Sequence, residues 1–271
     1  MSHVIQSVEE LMEKSPEVDN QAVFEQLWAI TGEIRAKIEG RFKLERDPAM
    51  LDLEKYSAIA GGGEGHLHAL TGEEIDWMIH SYFGNPSQGF TNMHLTTWLG
   101  PQTNVPHWGM ALGTIPDMFI YLDYIPRVDL TQDVHYLDKY YEEQNDVFMG
   151  FEGDAEFQPF VSRTIYMRLA QSPTSLCYVA KPSQENIKKI RETAHLMMDR
   201  WLAWVDLAKK KPVAEQVELA DGDLKLRKTI SQRDPANVMG EKLLGTELTK
   251  RLVGTLWGEG RQSRRAGSWQ Q

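Results

Sequence analysis

The fold of this chain is decided by the stretch FTNMHLTTWL, residues 90–99, which a Gly100-Pro101 turn separates from VPHWGMA, residues 105–111. The first segment alternates in polarity, as a β-strand with two different faces does. One face carries Thr91, Met93, Leu95 and Thr97, and the other carries Phe90, Asn92, His94, Thr96 and Trp98. We expect one face to pack into the core and the other to line a pocket. Pro106 has no N–H to donate, so it marks an edge or a bend before the next strand.

Strands and helices follow one another in blocks along the chain. Alternation predicts a meander of four or five antiparallel strands over residues 66–123, and a later hairpin formed by residues 164–169 and 175–179. Helical spacing predicts helices at residues 20–41, 133–149, 184–208 and 219–257, the last of them interrupted at Asp234-Pro235. This order predicts a three-layer α/β/α sandwich, with a central, mainly antiparallel sheet flanked by helices on both faces.

Composition limits the classes of function. The chain has 271 residues, 41% of them hydrophobic, which suits a single domain over residues 1–257 followed by a disordered tail at 258–271. A net charge of −10 argues against nucleic acid as a partner. The single cysteine, Cys177, cannot build an iron–sulfur cluster, so redox chemistry would need electrons from outside. No targeting segment or long apolar run is evident, and we therefore expect a cytoplasmic protein with no membrane span.

The central strands resemble those of the ferredoxin-dependent bilin reductases. His94, Pro106 and the Trp108-Gly109 pair stand at the intervals of that family's histidine and Pro-x-Phe-Gly step. Most of the chain from about residue 63 onward looks like a close relative of that group, red chlorophyll catabolite reductase. Further similarity lies in Leu122-Asp123, Arg127, the residues 136–141, Val161-Ser162, Arg168, Ser172-Pro173-Thr174 and residues 227–230. Asp234-Pro235-Ala236 is closer to the Asp-Pro-Ala signature of the bilin reductases.

The resemblance implies the sandwich fold and a pocket between the sheet and the C-terminal helices. It also implies reduction of a linear tetrapyrrole, with electrons arriving singly from reduced ferredoxin, no bound cofactor, and protons supplied by side chains. Carried over residue by residue, His94 and Asp234 become the catalytic acids. Arg168, whose guanidinium suits a substrate propionate, joins Ser162, His107, Trp108 and the position of Ala111 as substrate-binding candidates. A homodimer is a further expectation from the family.

Ala111 departs from the family pattern, because bilin reductases have a proton-donating aspartate there and red chlorophyll catabolite reductases have a glutamate. Losing a general acid typically costs about a hundredfold in rate or more. Three interpretations stay open. His94 and Asp234 act alone, His107 substitutes for the missing acid, or the protein binds a tetrapyrrole without reducing it.

A metal-dependent oxygenase is a rival of another class. His66, His68, His80, His94 and His107 fall on consecutive predicted strands, and His66-x-His68 followed by Glu73 resembles the metal-binding run of cupins. The glycine spacing of cupins is not kept, however, and the second half of the chain reads as helical.

Overall fold

The computed structural model describes residues 18–59, 61–162, 164–234 and 236–258. The helices are α1 Gln21–Arg41, α2 Val134–Glu152, α3 Ile165–Ala170, α4 Gln184–Leu207, α5 Val213–Arg233, α6 Ala236–Leu244 and α7 Thr246–Trp257. The strands are β1 Leu44–Arg46, β2 Tyr56–Ser57, β3 Glu64–Gly72, β4 Ile75–Asn85, β5 Phe90–Leu99, β6 His107–Ile115, β7 Asp117–Ile125, β8 Phe157–Pro159 and β9 Leu176–Ala180. Two 3₁₀ helices cover Pro48–Leu53 and Pro86–Gln88. We expected a disordered tail at residues 258–271. Residues 259–271 lie outside the described residues.

The strands form one antiparallel sheet in the order β1-β3-β4-β5-β6-β7-β9-β8, with β2 pairing to β3. The run β3 to β7 is the predicted meander, in which each strand pairs with the next one along the chain. Local pairing of this kind follows from short turns, since antiparallel neighbours need only a hairpin between them. The central strands of the meander therefore lie side by side.

Helices cover both faces of the sheet, which confirms the three-layer sandwich. On one face, α1, α2 and α4 bury Met93, Leu95, Met110, Leu112, Ile120 and Leu122 together with Ile34, Tyr140, Ile190 and Trp201. On the other face, Leu67, Ile79 and Trp98 pack with Leu244 and Leu252 of the last two helices. We call the first the core face and the second the cavity face.

One predicted element is wrong. Residues 164–169 do not form a hairpin strand with 175–179: they belong to the short helix α3, and β9 pairs with β7 and β8 instead. A run of six residues satisfies a period of two and a period of 3.6 almost equally well, so its pattern does not separate strand from helix. The pairing of β9 is decided by β7, which lies more than fifty residues earlier in the chain.

Several histidines are held neutral by the fold, and this predicts a loss of stability in mild acid. Burial lowers the pKa of His80 to about 2 and the pKa values of His94 and His107 to about 4. Below the ordinary histidine pKa near 6.5, these histidines bind protons in the unfolded chain but stay neutral in the folded chain. Their contribution to the free energy of unfolding is therefore complete above pH 6.5 and falls as the pH decreases toward 4. Each buried group contributes at most about 1.4 kcal/mol per pH unit. We expect the melting temperature to fall steadily between pH 6.5 and 4.5.

One carboxyl group acts in the opposite direction. Burial raises the pKa of Asp123 to about 6, so protonation of this group between pH 6 and 4 favours the folded state. One aspartate against these three histidines leaves a net loss, and burial lowers the pKa values of His66 and His68 in the same direction. His94→Gln removes one of the three and should make the pH dependence shallower. A melting temperature that is constant from pH 7 to 4.5 would contradict the prediction.

Candidate active site between the sheet and the C-terminal helices

A cavity of about 160 Å³ lies between the cavity face of the sheet and helices α6 and α7. Its lining is mostly apolar, with a few polar groups among aliphatic and aromatic side chains. The sheet contributes Leu67, Ile79, Ser81, Phe83, Phe90, Asn92, His94 and Thr96, and the helical side contributes Asp234, Asn237, Met239, Gly240, Leu243, Leu252, Leu256 and Trp257. Of the two faces of β5, the even-numbered one lines this cavity, at Phe90, Asn92, His94 and Thr96.

His94 is at the centre of the sheet wall. It pairs with Ser81 of β4 on one side and with Ala111 of β6 on the other. Burial lowers the pKa of His94 to about 4, so its imidazole is neutral at pH 7. Two residues away on the same face, Asn92 Oδ1 is buried and has no hydrogen-bond partner among the described residues. The sheet wall therefore presents a neutral imidazole and an open acceptor to the cavity.

Asp234 stands on the opposite wall, at the end of α5. Its backbone N–H donates to Ile230 O at 2.9 Å, which closes the last turn, and its extended backbone then leads into α6. The residue before a proline avoids the helical conformation, and this explains why the helix ends here. The two residues predicted to be catalytic, His94 and Asp234, thus line the same cavity from opposite sides.

Beside His94, and outside the residues that line the cavity, strand β6 carries a row of small residues, which we call the floor. Gly109, Ala111 and Gly113 occupy successive positions on the cavity face of β6. A Cβ atom at Gly109 would lie 3.0 Å from the Tyr121 ring, and one at Gly113 would lie 2.3 Å from the Phe119 ring. The aromatic rings of β7 therefore lie over the glycines. Between them is Ala111, 8% exposed, where the family pattern has a carboxylate.

Next to Ala111, strand β7 carries a buried acid that we did not predict as a site residue. Asp123 Oδ1 accepts a hydrogen bond from Ser172 Oγ at 2.5 Å, and Oδ2 accepts from Ser172 N at 2.9 Å and from the Tyr121 hydroxyl at 3.2 Å. Burial raises the pKa of Asp123 to about 6, although these three donors oppose the shift. The sequence signal was available, since Tyr121-x-Asp123 places two polar groups on one strand face.

His107 lies on the cavity face but is not in the cavity lining. The side chain is 0% exposed, its Nδ1 accepts from Leu99 N at 3.0 Å, and its Nε2 lies 2.9 Å from Asp223 Oδ1. Arg127 forms an ion pair with the same Asp223 at 2.6 Å. Burial raises the pKa of Asp223, but Arg127 and His107 outweigh it and bring the pKa to about 2. Both ring nitrogens of His107 are thus engaged in this buried network, and its role as a substitute acid stays a prediction.

Trp108 points to the other side of the sheet. It is 0% exposed within the core cluster, where its ring lies 6.2 Å from that of Tyr124. Neighbouring positions on a strand face opposite ways, so the sheet face that carries His94 and Ala111 does not carry Trp108. The structure therefore places this predicted substrate-binding residue away from the cavity.

Arg168 and Ser162 meet each other beside the site. Arg168 is exposed on α3, and its Nη1 donates to Ser162 O at 2.6 Å. Two residues earlier, the Tyr166 ring lies 5.0 Å from the guanidinium of Arg233, which directly precedes Asp234. Helix α3 therefore borders the end of α5 that carries the cavity aspartate. Neither Arg168 nor Ser162 belongs to the cavity lining itself.

The five histidines do not converge. His66, His68 and His80 lie on the face that α1 covers, where Arg35 Nη1 contacts His68 Nδ1 at 2.7 Å, whereas His94 and His107 lie on the cavity face. Among the described ranges, no group of three or more histidine, cysteine, aspartate or glutamate side chains is arranged to hold a metal ion. The pattern that suggested a metal-dependent oxygenase is thus divided between two faces of the sheet.

The family model for red chlorophyll catabolite reductase matches residues 29–257 of this chain. The chain belongs to the red chlorophyll catabolite reductase family. Within that span lie the strands of the sheet from β1 to β9 and the helices that enclose the cavity. This agrees with the resemblance to red chlorophyll catabolite reductase carried by Leu122-Asp123, Arg127 and the later positions of the chain.

One sequence relative and one solved structure are similar to this chain. Red chlorophyll catabolite reductase of Hordeum vulgare is 27% identical over 129 residues, which cover 45% of this chain and 62% of the barley protein. The match thus spans less than two thirds of that relative. Phytochromobilin synthase from tomato, solved in complex with biliverdin, superposes with a TM-score of 0.73 at 15% identity, covering 86% of this chain and 84% of that chain. This likeness shows that the two share a fold. In the described part of this family member, no helix is long and apolar enough to cross a membrane.

Proposed function

We propose that this chain reduces a linear tetrapyrrole, using electrons delivered one at a time by reduced ferredoxin and protons delivered by side chains of the cavity. The observation that carries the proposal is the placement of His94 and Asp234 on opposite walls of one mostly apolar cavity. Membership of the red chlorophyll catabolite reductase family supports the substrate class. No bound cofactor enters the proposal, because the electrons come from the protein partner.

The cavity suits a flat, conjugated pigment. Leu67, Ile79 and Leu252 offer apolar surface to the rings, and Asn92 Oδ1 can accept a hydrogen bond from a pyrrole N–H. The volume of about 160 Å³ is below the roughly 300–1,000 Å³ of most ligand sites. We therefore place part of the pigment over the neighbouring floor of small residues around Ala111.

Arg168 and Ser162 are proposed to hold a propionate of the pigment. One N–H of the Arg168 guanidinium is used on Ser162 O, and the planar group has five donors in all. A carboxylate is the natural partner of the remaining fork. Because α3 borders the end of α5, a propionate bound here would leave the conjugated rings close to Asp234.

His94 and Asp234 would divide the proton chemistry. Since the imidazole of His94 is neutral in the free protein, its first role is to donate an N–H hydrogen bond to a lactam carbonyl. Addition of an electron places negative charge on the pigment, and this charge favours the protonated form of any group next to it. Asp234 then supplies a proton from the helical side. With a second proton, taken from another side chain of the site or from water, the two electrons saturate one double bond.

Anaerobic turnover tests the proposal. The purified chain is mixed with biliverdin or red chlorophyll catabolite and with reduced ferredoxin, and the absorbance of the pigment is followed. We expect a spectral change that requires both the chain and ferredoxin. Without a change for either pigment, the reductase proposal fails.

A second candidate function rests on Ala111. If the acid at this position is indispensable, the chain binds a tetrapyrrole without reducing it. The same assay separates the two functions, because a binder shifts the pigment spectrum on mixing but leaves it unchanged when reduced ferredoxin is added. In that case Ala111→Asp should introduce turnover.

A further inference from the structure

Strand β7 holds a hydrogen-bonded pair beside the position of the missing acid. In the sheet register Ala111 pairs with His94 on one side and with Tyr121 on the other, so all three side chains share the cavity face. Adjacent strands are about 4.8 Å apart, and Tyr121 therefore stands only two strands from His94. Its hydroxyl lies 3.1 Å from the place a Cβ of Gly109 would take, directly over the floor of small residues.

The surroundings of the pair are polar, and within the described ranges no lysine or arginine forms an ion pair with Asp123. Asp123 is 1% exposed and accepts hydrogen bonds from Tyr121 and Ser172. Other titratable groups that interact with it are the Cys177 thiol and the hydroxyls of Tyr124 and Tyr141, all of which are neutral near pH 7 because burial raises their pKa values. A carboxylate buried in this way binds a proton far more readily than an exposed one.

The direction of the Tyr121 hydrogen bond depends on the charge of Asp123. An ionised carboxylate accepts a hydrogen bond from the phenol, which is the direction of the bond from Tyr121 to Asp123 Oδ2. A protonated carboxyl group can donate to the phenolic oxygen instead, and the phenolic hydrogen is then free to point over Gly109 toward the site. Burial raises the pKa of the Tyr121 phenol well above its ordinary value, so the hydroxyl keeps its proton until a strong base is formed next to it.

We propose that Tyr121 donates a proton to the reduced tetrapyrrole in place of the acid that Ala111 lacks, and that Asp123 is the positioning residue that orients and reprotonates it. This inference rests on the proposed function. It also gives a reason why the family carboxylate can be absent here: the phenol of the next strand reaches the same floor from the other side.

The proton and electron balance is as follows. Ferredoxin supplies the two electrons, one at a time, and Asp234 supplies one proton. Tyr121 supplies the second proton as its O–H bond breaks and a bond to the pigment forms. The resulting phenolate takes the proton of the Asp123 carboxyl group, and the aspartate recovers its proton from solvent.

The inference competes with a purely structural role, in which Asp123 only anchors the turn at Ser172. The Tyr121→Phe variant distinguishes the two, because it removes the hydroxyl and leaves both hydrogen bonds from Ser172. Tyr124→Phe is the matched control, since this buried phenol belongs to the same strand but faces the core, where it donates to Met197 O at 2.8 Å. Binding of biliverdin and single-turnover reduction by ferredoxin are measured for both variants and for the wild type.

We expect Tyr121→Phe to bind biliverdin within twofold of the wild type, to lose at least tenfold in single-turnover rate, and to accumulate a radical intermediate detectable by electron paramagnetic resonance. Tyr124→Phe should react like the wild type. Adding Ala111→Asp to Tyr121→Phe should restore the rate, because the acid then returns at the family position. A wild-type rate in Tyr121→Phe, or a loss that Ala111→Asp does not rescue, would overturn the inference.

A pH profile tests the part assigned to Asp123. The wild-type single-turnover rate should increase as the pH falls through about 6, where this carboxyl group becomes protonated, and Asp123→Asn should lose that dependence. An unchanged pH profile in a folded Asp123→Asn variant would refute the positioning role. If the wild type itself reduces neither biliverdin nor red chlorophyll catabolite, the proposed function fails together with the inference. If the wild type is active and Tyr121→Phe is equally active, only the inference fails.

Discussion

Asp234→Asn is expected to lower the rate of ferredoxin-driven tetrapyrrole reduction by about a hundredfold or more, which is typical for removal of a general acid. The amide is close in size to the carboxyl group, so the wall of the cavity keeps its shape but can no longer give up a proton. Biliverdin binding should change by less than about threefold, since the apolar lining that holds the rings is intact. Stopped-flow absorbance under anaerobic conditions measures both quantities.

Asp221→Asn is the matched control for this variant. Asp221 is an exposed residue of the same helix, α5, and its replacement by asparagine removes the same charge. Its rate should stay within twofold of the wild type. Equal losses in the two variants would indicate that the loss of a negative charge from this helix, rather than of proton donation from Asp234, lowers the rate.

Arg127→Met is expected to reduce the free energy of unfolding by about 3–5 kcal/mol, the usual cost of removing one partner from a buried ion pair. Arg127 donates to both carboxylate oxygens of Asp223 and to the carbonyl of Thr103, and its side chain is 0% exposed. Methionine fills similar space but leaves Asp223 buried, with His107 as its remaining side-chain hydrogen-bond partner among the described residues. Denaturant unfolding at pH 7 measures the loss.

An exposed ion pair provides the comparison. Arg251 pairs with Asp52, and their side chains are 46% and 58% exposed. Arg251→Met should cost less than about 1 kcal/mol, because solvent screens such a pair. A loss for Arg127→Met no larger than that for Arg251→Met would show that the His107–Asp223–Arg127 network contributes little to stability.

Much of the sheet was predictable, because the alternation of polar and apolar residues along each strand indicates which face is buried. Alternation along residues 90–99 predicted that His94 shares a face with Asn92 and Thr96, and the cavity is lined by those side chains. The Asp234-Pro235 step likewise predicted the break between two helices, since a proline restricts the residue before it. These are local effects that need no knowledge of the partners.

Long-range pairing was not predictable in the same way. The pattern of residues 164–169 fits a strand or a helix equally well. In the structure β9 pairs with β7 on one edge, and residues 165–170 form a helix instead of pairing with β9. The five histidines looked like one group in the sequence, yet one-residue offsets between strands send His68 and His94 to opposite faces. Trp108 lies between His107 and Gly109 on β6, so it faces the core rather than the cavity.

The sequence by itself determined the layers, the meander, the strand face of His94 and the helix break at Asp234, because periodicity and proline act over a few residues. Only the tertiary structure decided which groups meet across the sheet. Asp123 meets Tyr121 and Ser172, and His107 meets Asp223, through contacts between segments 49 and 116 residues apart in the two longer cases. The energy of such contacts depends on how deeply the partners are buried, and burial is produced by segments that are distant in the sequence.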